Sequence, residues 1–176
     1  ECFRAADITR RILRFAKPAP TDLVPLDLKV TIEETLTLAG YQVRMENVER
    51  TVTVQPDLPK VRGNQNQLQE VLLNLILNAC QAMGEQGGAI EISAKPDDGE
   101  VEIQVSDNGP GIPEELYEEA FRPFSRLDAT RSRHQKGVGL GLAIARDVAR
   151  SHGGDIQLGL SPLGGLRAAL RLPRPA

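Results

Sequence analysis

Two separated glycine clusters, Asp107-Asn108-Gly109-Pro110-Gly111-Ile112-Pro113 and Gly137-Val138-Gly139-Leu140-Gly141-Leu142, constrain this chain more than any other feature. Ahead of the first, Val101, Ile103 and Val105 alternate with Glu102, Gln104 and Ser106, which is the period of a strand with one buried face. Asp107 continues the apolar set, so its carboxylate points inward. A carboxylate in that position needs a hydrogen-bond donor or carries a large desolvation cost, and the exocyclic amine of a purine is a suitable donor. Gly109 and Gly111 lack the side chains that would hold a base away. The second cluster opens a helix, and a glycine-rich helix entry leaves backbone N–H groups unpaired, ready for an anion. The two clusters together describe a nucleotide site.

The chain has 176 residues, 40% of them hydrophobic, and a net charge of −3, enough for one medium domain with a proper core. No apolar run approaches the roughly 20 residues of a membrane span. The opening Glu1-Cys2-Phe3-Arg4 lacks the basic-then-apolar order of a secretion signal. A cytoplasmic fragment without membrane contact is expected. Cys2 and Cys80 sit in helical patterns without metal-ligand spacing, which favours reduced thiols over a disulfide or a zinc site. The acidic balance speaks against nucleic acid as a partner. With no Trp, four Phe and two Tyr, few platforms remain on which bases could stack.

Residues 1–17 read as a helix with Ala5, Ile8, Ile12 and Phe15 on one stripe, ended by Pro18-Ala19-Pro20. Two readings stand for it, the tail of a helical hairpin or a surface helix packed on the domain. A strand at 22–26, an amphipathic helix at 27–40 and a strand near 50–55 follow, with Pro56 and Pro59 breaking the chain. Residues 64–83 form the strongest helix, apolar through Leu68, Val71, Leu72, Leu75, Ile76 and Ala79. Opposite lies a polar stripe of Glu70, Asn74, Asn78 and Gln81. Such a stripe faces either a wet cleft or open solvent, and because asparagine in mid-helix is unfavourable on propensity the cleft is favoured. Ala89–Ala94 and Val101–Val105 form a hairpin about Asp97-Asp98-Gly99. Glu114, Glu115, Glu118 and Glu119 make an acidic helical turn. The loop 122–136 then carries Arg122, Arg126, Arg131, Arg133 and Lys136 against Asp128, and a long basic loop in an acidic domain suits a lid over polyphosphate. A helix near 140–152, closed by His152-Gly153-Gly154, and strands at 155–160 and 165–172 complete the chain.

Neither G-x-x-x-x-G-K-[ST] nor G-x-G-x-x-G occurs. The ordered set is more specific: an Asn-bearing helix, Asp107-x-Gly109-x-Gly111 at a strand end, Phe121-Arg122-Pro123-Phe124, a long loop, and Gly137-x-Gly139-Leu140-Gly141-Leu142 opening a helix. Over residues 22–172 it resembles the N, G1, F and G2 boxes of sensor histidine kinases, in order. The resemblance implies a two-layer α/β sandwich of the Bergerat type, with a mixed sheet of about five strands, three helices and an ATP lid. It implies ATP and Mg²⁺ as cofactors. Asp107 corresponds to the adenine-binding carboxylate, with Gly109, Gly111 and Ile112 shaping the pocket. Asn78 corresponds to the Mg²⁺ ligand and Asn74 to a second polar contact. Gly137, Val138, Gly139, Leu140, Gly141 and Leu142 match the phosphate-facing hinge of the lid, Arg131 and Lys136 its cations, and Phe121 and Phe124 the F box.

Many relatives carry a basic residue where Gln81 stands, and the wording Asn78-Ala79-Cys80-Gln81-Ala82-Met83 looks more like the nitrogen-regulation branch. Residues 1–20 resemble the end of a dimerisation hairpin and its linker, and 21–176 the catalytic ATP-binding domain. Neither His134 nor His152 resembles the phosphoacceptor motif, so the acceptor histidine is expected on another segment. The implied partners are that histidine-bearing hairpin of the same kinase and a response-regulator receiver domain, with a homodimer in a full-length parent that is compatible with a membrane anchor. Two other readings remain. Gyrase-, mismatch-repair- and heat-shock-type ATPases use a glutamate where Asn74 stands, and an amide cannot serve as a base. A degenerate nucleotide-binding module would not need Asp107, Asn78 and the glycines intact.

Overall fold

The computed structural model describes residues 22–42, 47–125 and 139–175. Its strands are β1 (Val24–Leu26), β2 (Val48–Val54), β3 (Val61–Gly63), β4 (Gly88–Asp97), β5 (Glu100–Asp107), β6 (Asp155–Leu160) and β7 (Leu166–Pro173). Helices α1 (Leu28–Gln42), α2 (Gln65–Met83) and α4 (Gly141–Ser151) are joined by a 3-10 turn at Glu114–Leu116 that runs into the single-turn helix α3 (Tyr117–Ala120). The main sheet has five strands in the order β2-β4-β5-β7-β6. β2 lies parallel to β4 and the other neighbours are antiparallel, which makes the sheet mixed.

Period-2 patterning decides which face of this sheet is covered. Ile90, Ile92 and Ala94 of β4, Val101, Ile103 and Val105 of β5, and Ala168, Leu170 and Leu172 of β7 are all buried. They form one core with Leu68, Val71, Leu72, Leu75 and Ile76 of α2. The other face is polar: Glu102 accepts from Arg171 Nε at 3.0 Å and pairs with Lys95 at 3.4 Å. Helices therefore cover one side only, and the domain has two layers.

Local chemistry sets the helix ends. Asn64 caps α2, its Oδ1 accepting from Gln67 N–H at 3.0 Å, and Gly84 at φ 71° ends it. α1 buries Thr31 and Thr35 among its apolar residues, because each hydroxyl bonds a carbonyl one turn back, Thr35 Oγ1 to Thr31 O at 2.7 Å. His152 follows α4 and is buried. Its Nε2 lies 3.1 Å from Asn64 N–H, so that nitrogen is the acceptor and Nδ1 carries the proton given to Val148 O at 2.8 Å. The expected cap is thus also a strut between the end of α4 and the start of α2.

Several boundaries differ from the sequence reading, most by one or two residues. The strand expected at 22–26 does not enter the main sheet but pairs, as β1, with β3, a three-residue strand too short for alternation to reveal. β2 occupies 48–54 rather than 50–55. The hairpin strands run on to Asp97 and from Glu100, because the turn is only two residues long, with Asp98 at φ 31° and Gly99 at φ 84°.

Candidate functional site

At the end of β5, Asp107 is buried, as its phase in the strand predicts. Oδ1 accepts from Gly109 N–H at 2.8 Å and from Leu166 N–H at 3.2 Å, while Oδ2 takes neither bond. Burial pushes the carboxyl above its ordinary range, and the two backbone N–H groups oppose that rise. The close packing is built from glycine. A Cβ on Gly109 would lie 2.9 Å from Asp107 Oδ1, and one on Gly165 would overlap both Asp107 and the Gly109 nitrogen. Gly165 N–H also donates to Asp107 O at 3.1 Å.

Gly165 and Leu166 are therefore part of the site, and the sequence reading missed them. In the sequence Gly165 was legible only as the start of the last strand. Gly111 adopts φ 72° and packs against Gly165, while Ile112 is half-buried. Cys80 of α2 is a free, buried thiol. Burial foremost, and then the Asp107 charge, raise its pKa, and Arg50 opposes that rise.

Two members of the α2 polar stripe, Asn74 and Asn78, face the start of α4. Asn74 is buried, with 9% exposure, Asn78 and Glu70 are half-buried, and Gln81 is exposed. A Cβ on Gly141 would lie 3.5 Å from Asn78 Oδ1 and 3.7 Å from Asn74 Oδ1, so the first residue of α4 sits directly over both amides. Leu140 precedes the helix with no side-chain cap. The first intrahelical bond is Ile144 N–H to Leu140 O at 3.0 Å, so the N–H groups of Gly141, Leu142 and Ala143 lack intrahelical partners. Leu140 is buried and Leu142 packs on the core.

Gly139 adopts φ 73°, and its carbonyl accepts from Phe124 N–H at 2.8 Å. The two F-box aromatics part company: Phe121 belongs to the core, whereas Phe124, at φ 63°, is 62% exposed. Arg131, Lys136, Gly137, Val138 and His134, with most of the 122–136 loop, lie outside the described residues, as do residues 1–20. Among the described residues no group of three His, Cys, Asp or Glu could hold a metal, and no helix is long and apolar enough to cross a membrane.

An inward carboxylate at a strand end, amides on one helix and bare N–H groups opening another define a class of nucleotide-binding α/β domain. A family profile described as histidine kinase-, DNA gyrase B-, and HSP90-like ATPase matches residues 63–176. The sensor histidine kinase ZraS of Escherichia coli O157:H7 is 33% identical over 98% of this chain and 36% of its own length. The C4-dicarboxylate transport sensor protein DctB of Rhizobium meliloti is 33% identical over 92% of this chain and 25% of its own. Among solved structures, the mycobacterial sensor histidine kinase MprB superposes with a TM-score of 0.74 at 29% identity, over 88% of this chain and 99% of that one. The chain belongs to this ATPase family, as an ATP-binding catalytic domain of the sensor histidine kinase type. It spans about a third of the length of ZraS, 36%.

Proposed function

We propose that this domain binds Mg-ATP in the cleft between α2 and α4 and presents the γ-phosphoryl group to a histidine on a dimerisation hairpin, for relay to a receiver aspartate. The observation that carries the reading is the convergence of Gly141 on Asn74 and Asn78, where a Cβ on the glycine would lie only 3.5–3.7 Å from their amides, in the same fold that buries Asp107. Adenine and triphosphate then have separate holds.

At the base end, Asp107 Oδ1 is engaged by the backbone, and Oδ2 accepts from the exocyclic amine. Gly109, Gly111 and Gly165 leave the space, and Ile112 supplies an apolar flank. At the phosphate end, the N–H groups of Gly141, Leu142 and Ala143 and the positive end of the α4 dipole face the anion. The family resemblance assigns Arg131, Lys136, Gly137 and Val138, which lie outside the described residues, to phosphate contact together with Gly139. Asn78 contributes the amide oxygen that fits Mg²⁺, a hard ion that shares its shell with phosphates and water and needs no carboxylate cluster. When bound, the ion supplies charge neutralisation. Asn74 and Gln81 make polar contacts beside it. Phosphoryl transfer asks a protein chiefly for positioning and charge stabilisation, and a rigid cleft of dipoles provides both.

The histidine kinase ThkA, solved in complex with the response regulator protein TrrA, covers 99% of this chain with a TM-score of 0.79 at 27% identity. That likeness supports a receiver domain as partner. The wording Asn78–Met83 supports placement in a nitrogen-regulation-like branch. Residues 1–20 are assigned to the end of the hairpin and its linker, 21–176 to the catalytic domain, and the full-length protein to a homodimer with this domain in the cytoplasm.

Calorimetric titration with ATP, with and without Mg²⁺, tests the site. The parent chain is expected to bind in both conditions and more tightly with the ion. Asn78→Ala is expected to remove most of the Mg²⁺-dependent gain and leave metal-free binding nearly intact. Equal losses in both conditions would make the α2 stripe structural.

A further inference from the structure

One side chain outside the nucleotide contacts joins three elements. Arg146, on α4, donates from Nη1 to Glu118 Oε2 at 2.8 Å and from Nη2 to Glu118 Oε1 at 3.3 Å. It donates from Nε to Asp155 Oδ1 at 2.9 Å and from Nη2 to Asp155 Oδ2 at 3.4 Å. Its Cζ stands 4.1 Å from the centroid of the Phe121 ring. Only 14% of the side chain is exposed, against 81% for Glu118 and 38% for Asp155. Glu118 belongs to α3, Phe121 follows it, and Asp155 opens β6. A guanidinium holding two carboxylates in fork geometry while lying on an aromatic face has one allowed orientation, unlike the loose surface ion pairs that contribute little.

That orientation fixes the height and rotation of α4. Arg146 lies five residues beyond Gly141, about 7.5 Å along the axis, so a tilt at Arg146 displaces the helix start. The same start is tied to the α3 side by the Phe124 N–H to Gly139 O bond of 2.8 Å. The base end stands apart, because the bonds on Asp107 come from Gly109 and Leu166, whereas Arg146 bonds Glu118 and Asp155.

We propose that Arg146 is a positioning residue for the triphosphate: clamped between Glu118, Phe121 and Asp155, it holds the N–H groups at the start of α4 over Asn74 and Asn78. The inference rests on the Mg-ATP reading above. A ladder of adenosine, ADP and ATP, each with Mg²⁺, titrated calorimetrically into the parent chain and into Arg146→Met, Arg146→Lys and Glu118→Gln, separates the two.

In Arg146→Met, ATP affinity is expected to fall about tenfold, the scale of a helix-terminus contact, with ADP losing less and adenosine staying within about twofold. Arg146→Lys is expected to recover part of the ATP loss, since it keeps the charge but reaches one carboxylate only, and Glu118→Gln to lose less than Arg146→Met. Should Arg146→Met fail to fold, the other two variants decide on the same ladder. ATP and adenosine weakening in equal measure, or ATP binding unchanged, would overturn the positioning role. A parent chain that binds neither adenosine nor ATP would instead overturn the nucleotide reading itself.

Discussion

Asp107 shows how a single carboxylate is set against the stability of its own domain. Burial raises its pKa, so the folded state takes up a proton more readily than the unfolded one. The stabilisation from that proton is present at low pH and lost as pH rises through the folded value. At neutral pH the charged group is therefore a cost, offset only in part by Gly109 and Leu166 N–H. Asp107→Asn should retain the fold, because the amide oxygen can keep both backbone donors, and its urea stability at pH 7 should equal or exceed the parent's. Lower stability at pH 7 would show that the charge itself holds the loop. The inward aim of Asp107 was legible from Val101, Ile103 and Val105. Gly165 and Leu166 were not, because they come from the end of the β6–β7 turn and the start of β7, 59 residues further along the chain for the Leu166 bond, and local pattern carries no record of a neighbour so distant in sequence.

Elements place the two ends of the cleft, and their periodicity explains which of them could be read. α2 was evident from its apolar face. The inward side of α1 was only partly so, because Thr31 and Thr35 are buried there with their hydroxyls satisfied within the helix. β3 was missed because three residues between Pro59 and Asn64 give no period. α4 carries the most consequential local chemistry. Asp155 at the start of β6 has its pKa lowered to about 2, against the burial that would raise it, by hydrogen bonds from Arg146, Ile156 N–H and Arg150. A depressed carboxylate stabilises above its unfolded pKa and loses that contribution as pH falls towards 2. Thermal unfolding between pH 5 and 2 should accordingly show a steeper acid loss in the parent than in Asp155→Asn, and identical slopes would remove Asp155 from the account. At the other end of the loop, Gly139 sits at φ 73°, where a Cβ would also come within 2.6 Å of Ser125 O. Gly139→Ala should cost about 1–2 kcal/mol from the left-handed backbone alone, more with the overlap, and should weaken ATP more than adenosine. A melting temperature equal to the parent's would contradict this.

The whole molecule brings β5, β7, α2 and α4 to one cleft, and that convergence makes a nucleotide site of features that are individually common. The order of the motifs along the chain was readable because the boxes are local. Their mutual distances were not, since Gly141 meets Asn74 and Asn78 only after the core packs α2 against α4. The reading of the chain as a catalytic half predicts that γ-labelled ATP leaves it without acid-labile label, and that a hairpin carrying the acceptor histidine, supplied in trans, becomes labelled slowly for want of effective concentration. Strong labelling of the chain itself at His134 or His152 would refute that division. The most direct measurement of the central claim, a base held by Asp107 in this cleft, is the affinity of ATP against that of GTP in the parent and in Asp107→Asn. Guanine offers an oxygen where adenine offers an amine, so the parent should favour ATP by about 5- to 150-fold, the range of one mispaired buried hydrogen bond of about 1–3 kcal/mol. Asp107→Asn should bring the two affinities close together, chiefly by weakening ATP. Equal affinities in the parent, or a preference for ATP that survives Asp107→Asn undiminished, would contradict the account.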